Sequence, residues 1–298
     1  MNNILIVAPS WIGDMIMAQT LLKIIKAHNP DSNIDVLAPA ACKGVLAFMP
    51  EVNNVIDSPF QHGQFSLPAR YKLGKSLRAK NYTWAIVLPN SWKSALVPYF
   101  AKIPRRTGWV GEQRYHLLND IRKLDKKKYP LMIERYMALG FAKAAALDTP
   151  YPKPEFAVQP EDLSSALNSL QIKQPEDAKV LALCPGAEFG PAKRWPVEYF
   201  AELASIADNS GWQVWLFGGP KDVELGNAIL ETAPNCINLI GKTNLGQAIS
   251  LLSRANVVVS AGTVSTTSTN ATNHYNYNSG TISGAGTFNG GGIFDCSG

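Results

Sequence analysis

The stretch ILIVAPSWIGDMIMAQTLLKIIK, residues 4–26, decides the fold. Residues 4–8 form an apolar run typical of a buried parallel strand, and residues 15–26 have the spacing of an amphipathic helix. Between them, PSWIGD places one carboxylate, Asp14, at the start of the helix where the strand ends. A strand followed at once by a helix predicts a parallel α/β sheet, in which ligands bind beyond the carboxyl ends of the strands.

Strand and helix patterns of this kind recur in two series. Apolar runs at IDVLA, NNVID and WAIVLP continue the first series, and KVLALCPG, WQVWLFGG, CINLIG and NVVVS form the second. The proline-rich stretch TPYPKPEFAVQPED separates the two series, as a linker would. We therefore predict an α/β protein with two Rossmann-like, doubly wound domains at residues 1–147 and 161–259, joined by a linker at 148–160.

Length and composition narrow the class of protein. The 298 residues, 46% of them hydrophobic, suffice for two such domains. The net charge of +5 fits an anionic substrate or an anionic membrane surface, and it is too small to indicate nucleic acid as a partner. Four scattered cysteines without a CxxC pair argue against a zinc site and fit reduced thiols. The amino-terminal apolar run is too short for a signal peptide or a membrane span, so we expect a cytoplasmic protein.

From residue 260 onward the sequence changes type. Residues 260–298 are dominated by Ser, Thr, Asn and Gly, contain one charged residue, Asp295, and keep no helical period. Their few apolar side chains cannot offset the entropy of ordering about forty residues at about 1–2 kcal/mol each. We predict a low-complexity tail, mobile or loosely strand-like, that follows a truncated and partly uncovered second domain. The partial alternation in SGTISGAGTFNGGGIF leaves a fragment of a repetitive β-structure as the alternative.

The strongest local signal is CPGAEFGPAKRWP, residues 184–196. It follows a buried strand and precedes a helix whose first turn carries a proline. Gly186 and Gly190 leave backbone N–H groups available to a phosphate at a helix start, and Lys193 and Arg194 add full positive charges. The pattern indicates an anion site, with a basic pair on a surface loop as the alternative.

A second loop, FGGPKDVE, follows the next strand at residues 217–224. Its two glycines permit close approach to the backbone, and Asp222 and Glu224 fall in the first turn of the following helix. Acids at this position often complement the helix dipole; the functional alternative is a carboxylate that accepts hydrogen bonds from a ribose or sugar hydroxyl. Neither loop contains GxGxxG, so a nicotinamide dehydrogenase is poorly supported.

Three stretches together resemble a known family. APSWIGDMIMAQTL, LPNSWKSALVPYFAKIPRRTGWVGEQRYHLLNDIR and CPGAEFGPAKRWP are similar, in order and spacing, to the ADP-heptose–lipopolysaccharide heptosyltransferases of glycosyltransferase family 9, in particular those of type II. The resemblance extends from residue 1 to about residue 259 and implies the GT-B architecture, with the acceptor on the first domain and ADP-heptose on the second. It also implies an inverting transfer of L-glycero-D-manno-heptose to the lipopolysaccharide inner core of a Gram-negative bacterium.

The resemblance implies a role for Asp14. An inverting transfer in one displacement needs a base that takes the proton from the attacking hydroxyl, and Asp14 matches the base proposed for the family. Gly13 would let the acceptor sugar come close to the backbone, and Ser10 and Trp11 belong to the same acceptor loop. The alternative for Asp14 is an acid of the first helical turn that complements the helix dipole.

On the donor side, the resemblance implies that Lys193 contacts the diphosphate. There it would stabilise the charge that develops on the departing ADP. Gly186, Arg194, Glu224 and Thr243 are further candidate donor contacts. No cofactor and no metal ligand is implied beyond the donor substrate itself, and the metal requirement stays open.

The acceptor of this family is anionic, so basic residues of the first domain are candidate contacts. Lys93, Arg105 and Arg106 flank predicted strand ends and are candidates for touching acceptor phosphates, with a solvated basic face as the alternative. The run at residues 126–128 suits the anionic inner leaflet. We therefore expect peripheral contact with the cytoplasmic face of the inner membrane.

One part of the pattern departs from the family. A strand such as ANVVVS leads in these enzymes into an Asp-Ser-Gly segment and a nearby His that help bind the donor, whereas this chain continues with SAGTVSTTST. Two alternative hypotheses follow from the departure. The chain could be an inactive truncated transferase or nucleotide-binding remnant joined to an unrelated tail, or a sugar- or nucleotide-binding module without turnover.

Overall fold

The protein is described by a computed structural model that covers residues 2–60, 64–143, 145–147, 149–175, 177–187 and 194–260, and beyond them the backbone of four short strands. The chain divides into two compact units, Met1–Ala157 and Val158–Gly298. The division falls within a proline-rich stretch, and proline breaks regular elements because it lacks a backbone N–H.

The first unit contains a six-stranded parallel sheet. Its strands are β1 (Asn3–Val7), β2 (Asn33–Ala38), β3 (Asn54–Asp57), β4 (Trp84–Val87), β5 (Arg105–Trp109) and β6 (Asp120–Arg122). Their spatial order is β3-β2-β1-β4-β5-β6, so the chain winds outward from β1 and then returns across it to β4. The switch point between β1 and β4 is where a doubly wound sheet opens a crevice for ligands.

Helices cover both faces of this sheet because its strands are apolar on both sides. The helices are α1 (Ile12–His28), α2 (Ala40–Leu46), α3 (Leu67–Leu77), α4 (Leu96–Phe100) and α5 (Met132–Met137). Leu5 of β1 and Val87 of β4 pack in one cluster with Leu77 of α3 and Val97 of α4. Ile6, which alternates to the other face of β1, is fully buried as well.

The second unit repeats the arrangement with four parallel strands. These are β7 (Val180–Cys184), β8 (Gln213–Leu216), β9 (Ile237–Asn238) and β10 (Val257–Ser260), in the order β10-β7-β8-β9. The helices are α6 (Pro160–Ser169), α7 (Val197–Asn209), α8 (Val223–Thr232) and α9 (Leu245–Leu252). Leu183 packs with Phe200 of α7, whereas Ala182 packs with Leu251 of α9, so both faces are again covered. The strands predicted for both series are present.

Beyond residue 260 the structure describes only strand backbone. β11 (Thr263–Thr266) pairs antiparallel with β10, and β12 (Tyr275–Asn276) pairs antiparallel with β11. β13 (Gly286–Phe288) and β14 (Gly292–Phe294) form a separate antiparallel pair. The prediction of a mobile tail concerns positions that otherwise lie outside the described residues. Among the described helices, none is long and apolar enough to cross a membrane.

Candidate functional site

The loop after β1 and the first turn of α1 carry four of the predicted site residues. Ser10, Trp11 and Gly13 are exposed at the carboxyl edge of the first sheet, and Asp14 is half-buried. A Cβ added at Gly13 would have no neighbour within 4 Å among the described atoms, so packing does not require glycine at this position. The space beside Gly13 is therefore open to a ligand.

The carboxylate of Asp14 lies beside a tyrosine from another helix. The hydroxyl of Tyr136, on α5, lies within hydrogen-bonding reach of it, and the Tyr136 side chain is buried. Burial raises the pKa of Tyr136, and the charge and hydrogen bond of Asp14 raise it further. The phenol therefore stays protonated at neutral pH and remains a donor to Asp14.

A buried thiol, Cys42 of α2, lies beside the same loop. Its Sγ is 3.7 Å from the carbonyl oxygen of Pro9 and 3.9 Å from that of Ser10, within reach of weak S–H donation. Burial raises the pKa of the thiol, and the charge of Asp14 raises it further. Cys42 therefore supports the loop as a neutral thiol and is not activated as a nucleophile.

A fully buried arginine, Arg114, joins the segments that follow β4 and β5. Its guanidinium donates to the carbonyl oxygen of Trp109 from Nε at 3.1 Å and from Nη2 at 2.6 Å. Nη1 donates to the carbonyl oxygens of Pro89 at 2.5 Å and Ser91 at 3.3 Å. Burial lowers the pKa of Arg114 to about 10, and the charge of Glu112 opposes this shift. The guanidinium thus fixes the edge of the sheet next to the switch point.

Lys93 lies at this same edge, on a short 3₁₀ turn, Trp92–Ala95, that follows β4. Its side chain is half-buried, and its carbonyl oxygen accepts a hydrogen bond from Nη1 of Arg70 at 3.1 Å. Arg70 is itself buried, and its guanidinium lies 3.9 Å from the ring centroid of Phe60. The turn that carries Lys93 is therefore anchored to α3.

Arg105 and Arg106 lie elsewhere. They open β5, and Arg105 is in register with Trp84, the first residue of β4. Because the strands are parallel, both arginines start at the amino edge of the sheet, opposite the edge of Asp14. Arg105 pairs with Asp120 at 3.1 Å, and its guanidinium lies 4.1 Å from the ring centroid of Trp84. The structure thus does not bring the two predicted acceptor contacts to Asp14.

In the second unit, Gly186 follows β7 at the carboxyl edge of the sheet. A Cβ there would lie 2.4 Å from the carboxyl group of Asp222, so this loop needs glycine for close approach. Oδ2 of Asp222 accepts a hydrogen bond from the backbone N–H of Gly219 at 3.0 Å. The contacts favour the helix-start interpretation of Asp222, because its carboxylate already caps backbone groups.

Two other predicted donor contacts follow β8 and β9 at this edge. Glu224 is exposed in the first turn of α8. Thr243 is half-buried and precedes Asn244, which caps α9 by accepting from the N–H of Gln247 at 2.9 Å. Segments after three neighbouring parallel strands therefore bring Gly186, Glu224 and Thr243 to one edge, as the α/β pattern predicts.

The basic pair of the glycine loop is described in part. Arg194 is exposed, and its Nη2 donates to the carbonyl oxygen of Ala187 at 3.2 Å, so it bridges the two ends of the loop. Gly190 and Lys193 lie outside the described residues. Among the residues that are described, no group of three or more His, Cys, Asp or Glu side chains could hold a metal ion.

Sequence reasoning missed the residues that organise the first edge. Tyr136 is 122 positions from Asp14, and no local pattern marks it as a partner. Arg114 stands within the long central motif, where a buried arginine cannot be told from a surface one by spacing. The hint available was its place in LPNSWKSALVPYFAKIPRRTGWVGEQRYHLLNDIR, directly before an aromatic residue, Tyr115.

Comparisons with known proteins agree with this arrangement. Residues 70–264 match the model of glycosyltransferase family 9, the heptosyltransferase family. The lipopolysaccharide heptosyltransferase 2 of Escherichia coli K12 is 48% identical over 268 residues, which cover 87% of this chain and 76% of that protein. The lipooligosaccharide heptosyltransferase 2 of Haemophilus influenzae is also 48% identical, over 87% of this chain and 77% of its own length.

Solved structures give the same answer. The structure of E. coli ADP-heptose lipopolysaccharide heptosyltransferase II is 47% identical in sequence, with a TM-score of 0.78, over 87% of this chain and 78% of that one. The E. coli heptosyltransferase WaaC with ADP has a TM-score of 0.67 at 24% identity, over 87% of this chain and 81% of that one, and supports the fold alone. The predicted GT-B fold class is confirmed.

Proposed function

This chain belongs to glycosyltransferase family 9 and is a heptosyltransferase, and we propose how it acts on lipopolysaccharide. It transfers L-glycero-D-manno-heptose from ADP-heptose to the inner core, as the heptose II addition. The acceptor binds at the carboxyl edge of the first sheet, and the nucleotide sugar binds at the carboxyl edge of the second. The transfer inverts the anomeric carbon in one displacement.

Asp14 is the general base of this reaction. The acceptor hydroxyl attacks the anomeric carbon of the heptose while its proton moves to the carboxylate of Asp14, and the bond from that carbon to the diphosphate oxygen breaks. ADP leaves with the electron pair. The half-buried side chain of Asp14 suits this role, because one of its oxygens can accept from Tyr136 while the other faces the ligand.

The residues around Asp14 position the acceptor. Gly13 leaves open space for a sugar ring, and Ser10 and Trp11 expose a hydroxyl and an aromatic face beside it. Lys93 supplies positive charge to an anionic acceptor from the turn after β4. Arg105 and Arg106 are left out of this acceptor site because they begin β5 at the opposite edge.

The donor-binding residues act on the diphosphate and the sugar. Lys193 and Arg194 stabilise the negative charge that grows on ADP as the bond breaks, and backbone N–H groups near Gly186 bind a phosphate oxygen. Glu224 and Thr243 follow the neighbouring strands and accept or donate hydrogen bonds to the nucleotide sugar. No step of this reaction requires a redox cofactor.

We further propose that the protein contacts the cytoplasmic face of the inner membrane from outside the lipid. The acceptor is a lipid-linked saccharide, so the enzyme must reach a membrane surface to act. The net charge of +5 and the exposed lysines at residues 126–128 favour an anionic leaflet.

The single observation that carries the proposal is the carboxylate of Asp14 at the switch point of the first sheet, with open space beside Gly13. The test is to incubate the chain with ADP-heptose and inner-core lipopolysaccharide that ends in one heptose. We expect ADP release coupled to a product longer by one heptose, with inverted anomeric configuration by NMR.

A second candidate function rests on the stretch SAGTVSTTST, which lacks the Asp and His that donor binding in this family uses. Under this second hypothesis the chain binds the nucleotide through its glycine loop but does not catalyse transfer. Positions 261–262 and 267–269 of the stretch SAGTVSTTST lie outside the described residues. Measurable ADP binding without any transferred heptose would favour it.

A further inference from the structure

Positive charge is concentrated in one segment of the chain. All 23 acidic residues of the sequence lie outside residues 58–111. The same segment contains nine of the 28 Lys and Arg residues, which are Arg70, Lys72, Lys75, Arg78, Lys80, Lys93, Lys102, Arg105 and Arg106. This part of the first unit contains α3, β4, α4 and β5, so its surface is basic with no carboxylate of its own.

A surface cavity of about 340 Å³ lies within this basic part of the unit. It is lined by Arg78, Tyr99, Phe100, Lys102 and Arg106, which are three cations and two aromatic residues. These positions follow α3, end α4 and begin β5. The cavity therefore lies toward the amino edge of the sheet, away from the edge where Asp14 lies.

Close packing of α3 on α4 builds one wall of this cavity. A Cβ added at Gly74 would lie 2.6 Å from Cβ of Phe100 and 2.8 Å from the carbonyl oxygen of Val97, so glycine is required for this approach. The approach lets Nε of Arg78 donate to the carbonyl oxygen of Phe100 at 2.9 Å. Among the hydrogen bonds of the described residues, Arg78 donates from Nε alone, and Arg78 is one of the residues that line the cavity.

Arg106 is fixed in the same way from the other wall. Its Nε donates to the carbonyl oxygen of Leu117 at 2.7 Å, and its Nη1 donates to that of Ile103 at 2.5 Å. Its guanidinium lies 5.7 Å from the ring centroid of Tyr99. Burial lowers the pKa of Arg106, so this cation is partly desolvated.

Lys102 occupies a position where helices prefer glycine. It has a φ of 58° and follows the C-cap of α4, where its N–H bonds the carbonyl oxygen of Tyr99 at 3.0 Å. The next N–H, of Ile103, bonds the carbonyl oxygen of Pro98 at 3.2 Å, which completes a Schellman motif. A side chain is strained at positive φ, so lysine here costs stability while it places an ammonium at the cavity wall.

The three cations have no acidic counterpart in the described part of the chain. The ion pairs found in the first unit involve Lys23, Lys43, Arg105 and Arg122, none of which lines the cavity. Like charges held this close repel one another unless an anion lies between them. The cavity is thus cationic, and its charges have no acidic partner among the described residues.

We infer that this cavity is a second anion site, separate from the edge of Asp14, that binds a phosphate group carried on a sugar or glycerol body. Arg78, Lys102 and Arg106 supply charge-assisted hydrogen bonds to the phosphate. The rings of Tyr99 and Phe100 offer apolar surface to the carbon skeleton next to it. The phosphate belongs either to a phospholipid headgroup or to a soluble phosphate ester, which present the same chemistry to these residues.

The experiment measures phosphate binding by the full chain, independently of heptosyl transfer. The chain is titrated calorimetrically with glycerol 3-phosphate at low salt, with ADP present to fill the glycine loop of the second unit, and with glycerol as the blank. Cosedimentation with vesicles of phosphatidylglycerol and phosphatidylcholine is compared with phosphatidylcholine alone. The result reports on this cavity whether or not the chain transfers heptose.

Three variants distinguish binding at the cavity from attraction by the overall positive charge of the segment. Lys102→Gln should weaken binding by about threefold to tenfold, as expected for one charge-assisted contact in a partly exposed site. Lys80→Gln removes the same charge from the same segment but outside the cavity wall, and should change affinity less than about twofold. Lys102→Gly should weaken binding equally while keeping or raising the melting temperature, because glycine fits the positive φ.

The vesicle and soluble arms distinguish the source of the phosphate. If binding to phosphatidylglycerol vesicles is weakened by Lys102→Gln, the site is supported and its ligand is a lipid headgroup. If binding of glycerol 3-phosphate is weakened, the site is supported and its ligand is a soluble phosphate ester. Equal losses for Lys80→Gln and Lys102→Gln would overturn the proposal in favour of a diffuse basic surface. Absence of binding in both arms would overturn it outright.

Discussion

The hydroxyl of Tyr136, on α5, lies within hydrogen-bonding reach of the carboxylate of Asp14 in the first turn of α1. Packing of α1 on α5 makes this contact possible, and Gly140 permits it, because a Cβ there would lie 2.7 Å from Cδ1 of Leu21. The proposed base is therefore oriented by a residue that itself need not touch the substrate.

Tyr136→Phe should lower kcat about tenfold with little change in the KM for ADP-heptose, since a hydrogen bond to a charged group contributes about 1.5–3 kcal/mol. The matched control is Tyr82→Phe, because the buried hydroxyl of Tyr82 donates to Oδ2 of Asp35 at 2.6 Å. Both variants lose a buried Tyr–Asp bond, but only the first should slow transfer. Equal kcat values for the two variants, measured by ADP release, would contradict a positioning role.

Asp14→Asn should leave the affinity for ADP-heptose nearly intact and cut turnover by about 10²-fold or more, because asparagine cannot accept the proton of the acceptor hydroxyl. Asp31→Asn, at an exposed position beyond α1, serves as the control for loss of one negative charge. Turnover by coupled ADP release and affinity by calorimetry are the two measurements. Near-normal turnover of Asp14→Asn would remove this residue from the role of base.

Lys193→Ala should weaken the binding of ADP by about tenfold and leave that of adenosine almost unchanged, because the proposed contact of the lysine is with the diphosphate. Lys173→Ala removes an exposed charge elsewhere in the second unit and is the matched control. Calorimetric titration of each variant with ADP and with adenosine measures the two affinities. Equal weakening of ADP and adenosine would point to a structural role for Lys193.

Arg114→Lys should destabilise the first unit by about 2–4 kcal/mol, because a lysine cannot serve all the carbonyl oxygens that the buried guanidinium now binds. Arg135→Lys is the control, since Arg135 also donates to main-chain carbonyl oxygens but is half-buried. Urea unfolding gives the stability. In the remaining folded enzyme, the KM for the acceptor should rise more than the KM for ADP-heptose.

Asp120 should account for part of the acid sensitivity of the first unit. Burial alone would raise the pKa of Asp120, but hydrogen bonds from Arg122 and Thr107 and the nearby positive charges lower it to about 2. Because the folded-state pKa is depressed, the contribution is fully present above the ordinary value near 3.8 and is lost as the pH falls toward 2. Asp120→Asn should therefore flatten the loss of stability between these two pH values.

At pH 7 the same variant should be less stable by about 1–2 kcal/mol, a figure reduced for partial solvent screening. Asp57→Asn is the control, because its ion pair with Lys43 is exposed on both sides. Urea midpoints at pH 7, 4 and 3 follow both variants. If the urea midpoint of Asp120→Asn falls with pH in parallel with that of the unchanged chain, Asp120 does not account for the acid sensitivity.

The sequence alone predicted the two sheets and the place of Asp14. Strands such as β1 and β7 are short apolar runs next to amphipathic helices, so their identity depends on residues that are neighbours in the chain. Asp14 is found because the end of β1 and the start of α1 are adjacent in sequence. β5 was not predicted, because RRTGW has neither an apolar run nor a clean alternation.

Only the tertiary structure decided which residues share an edge of the first sheet. Arg105 and Arg106 lie at the amino edge because β5 runs parallel to β4. The local sequence does not predict the direction of β5. Tyr136 reaches Asp14, and Arg114 reaches Pro89, across long separations in the chain. Such contacts depend on strand order and helix packing, which arise from burial of the whole core and not from any one segment.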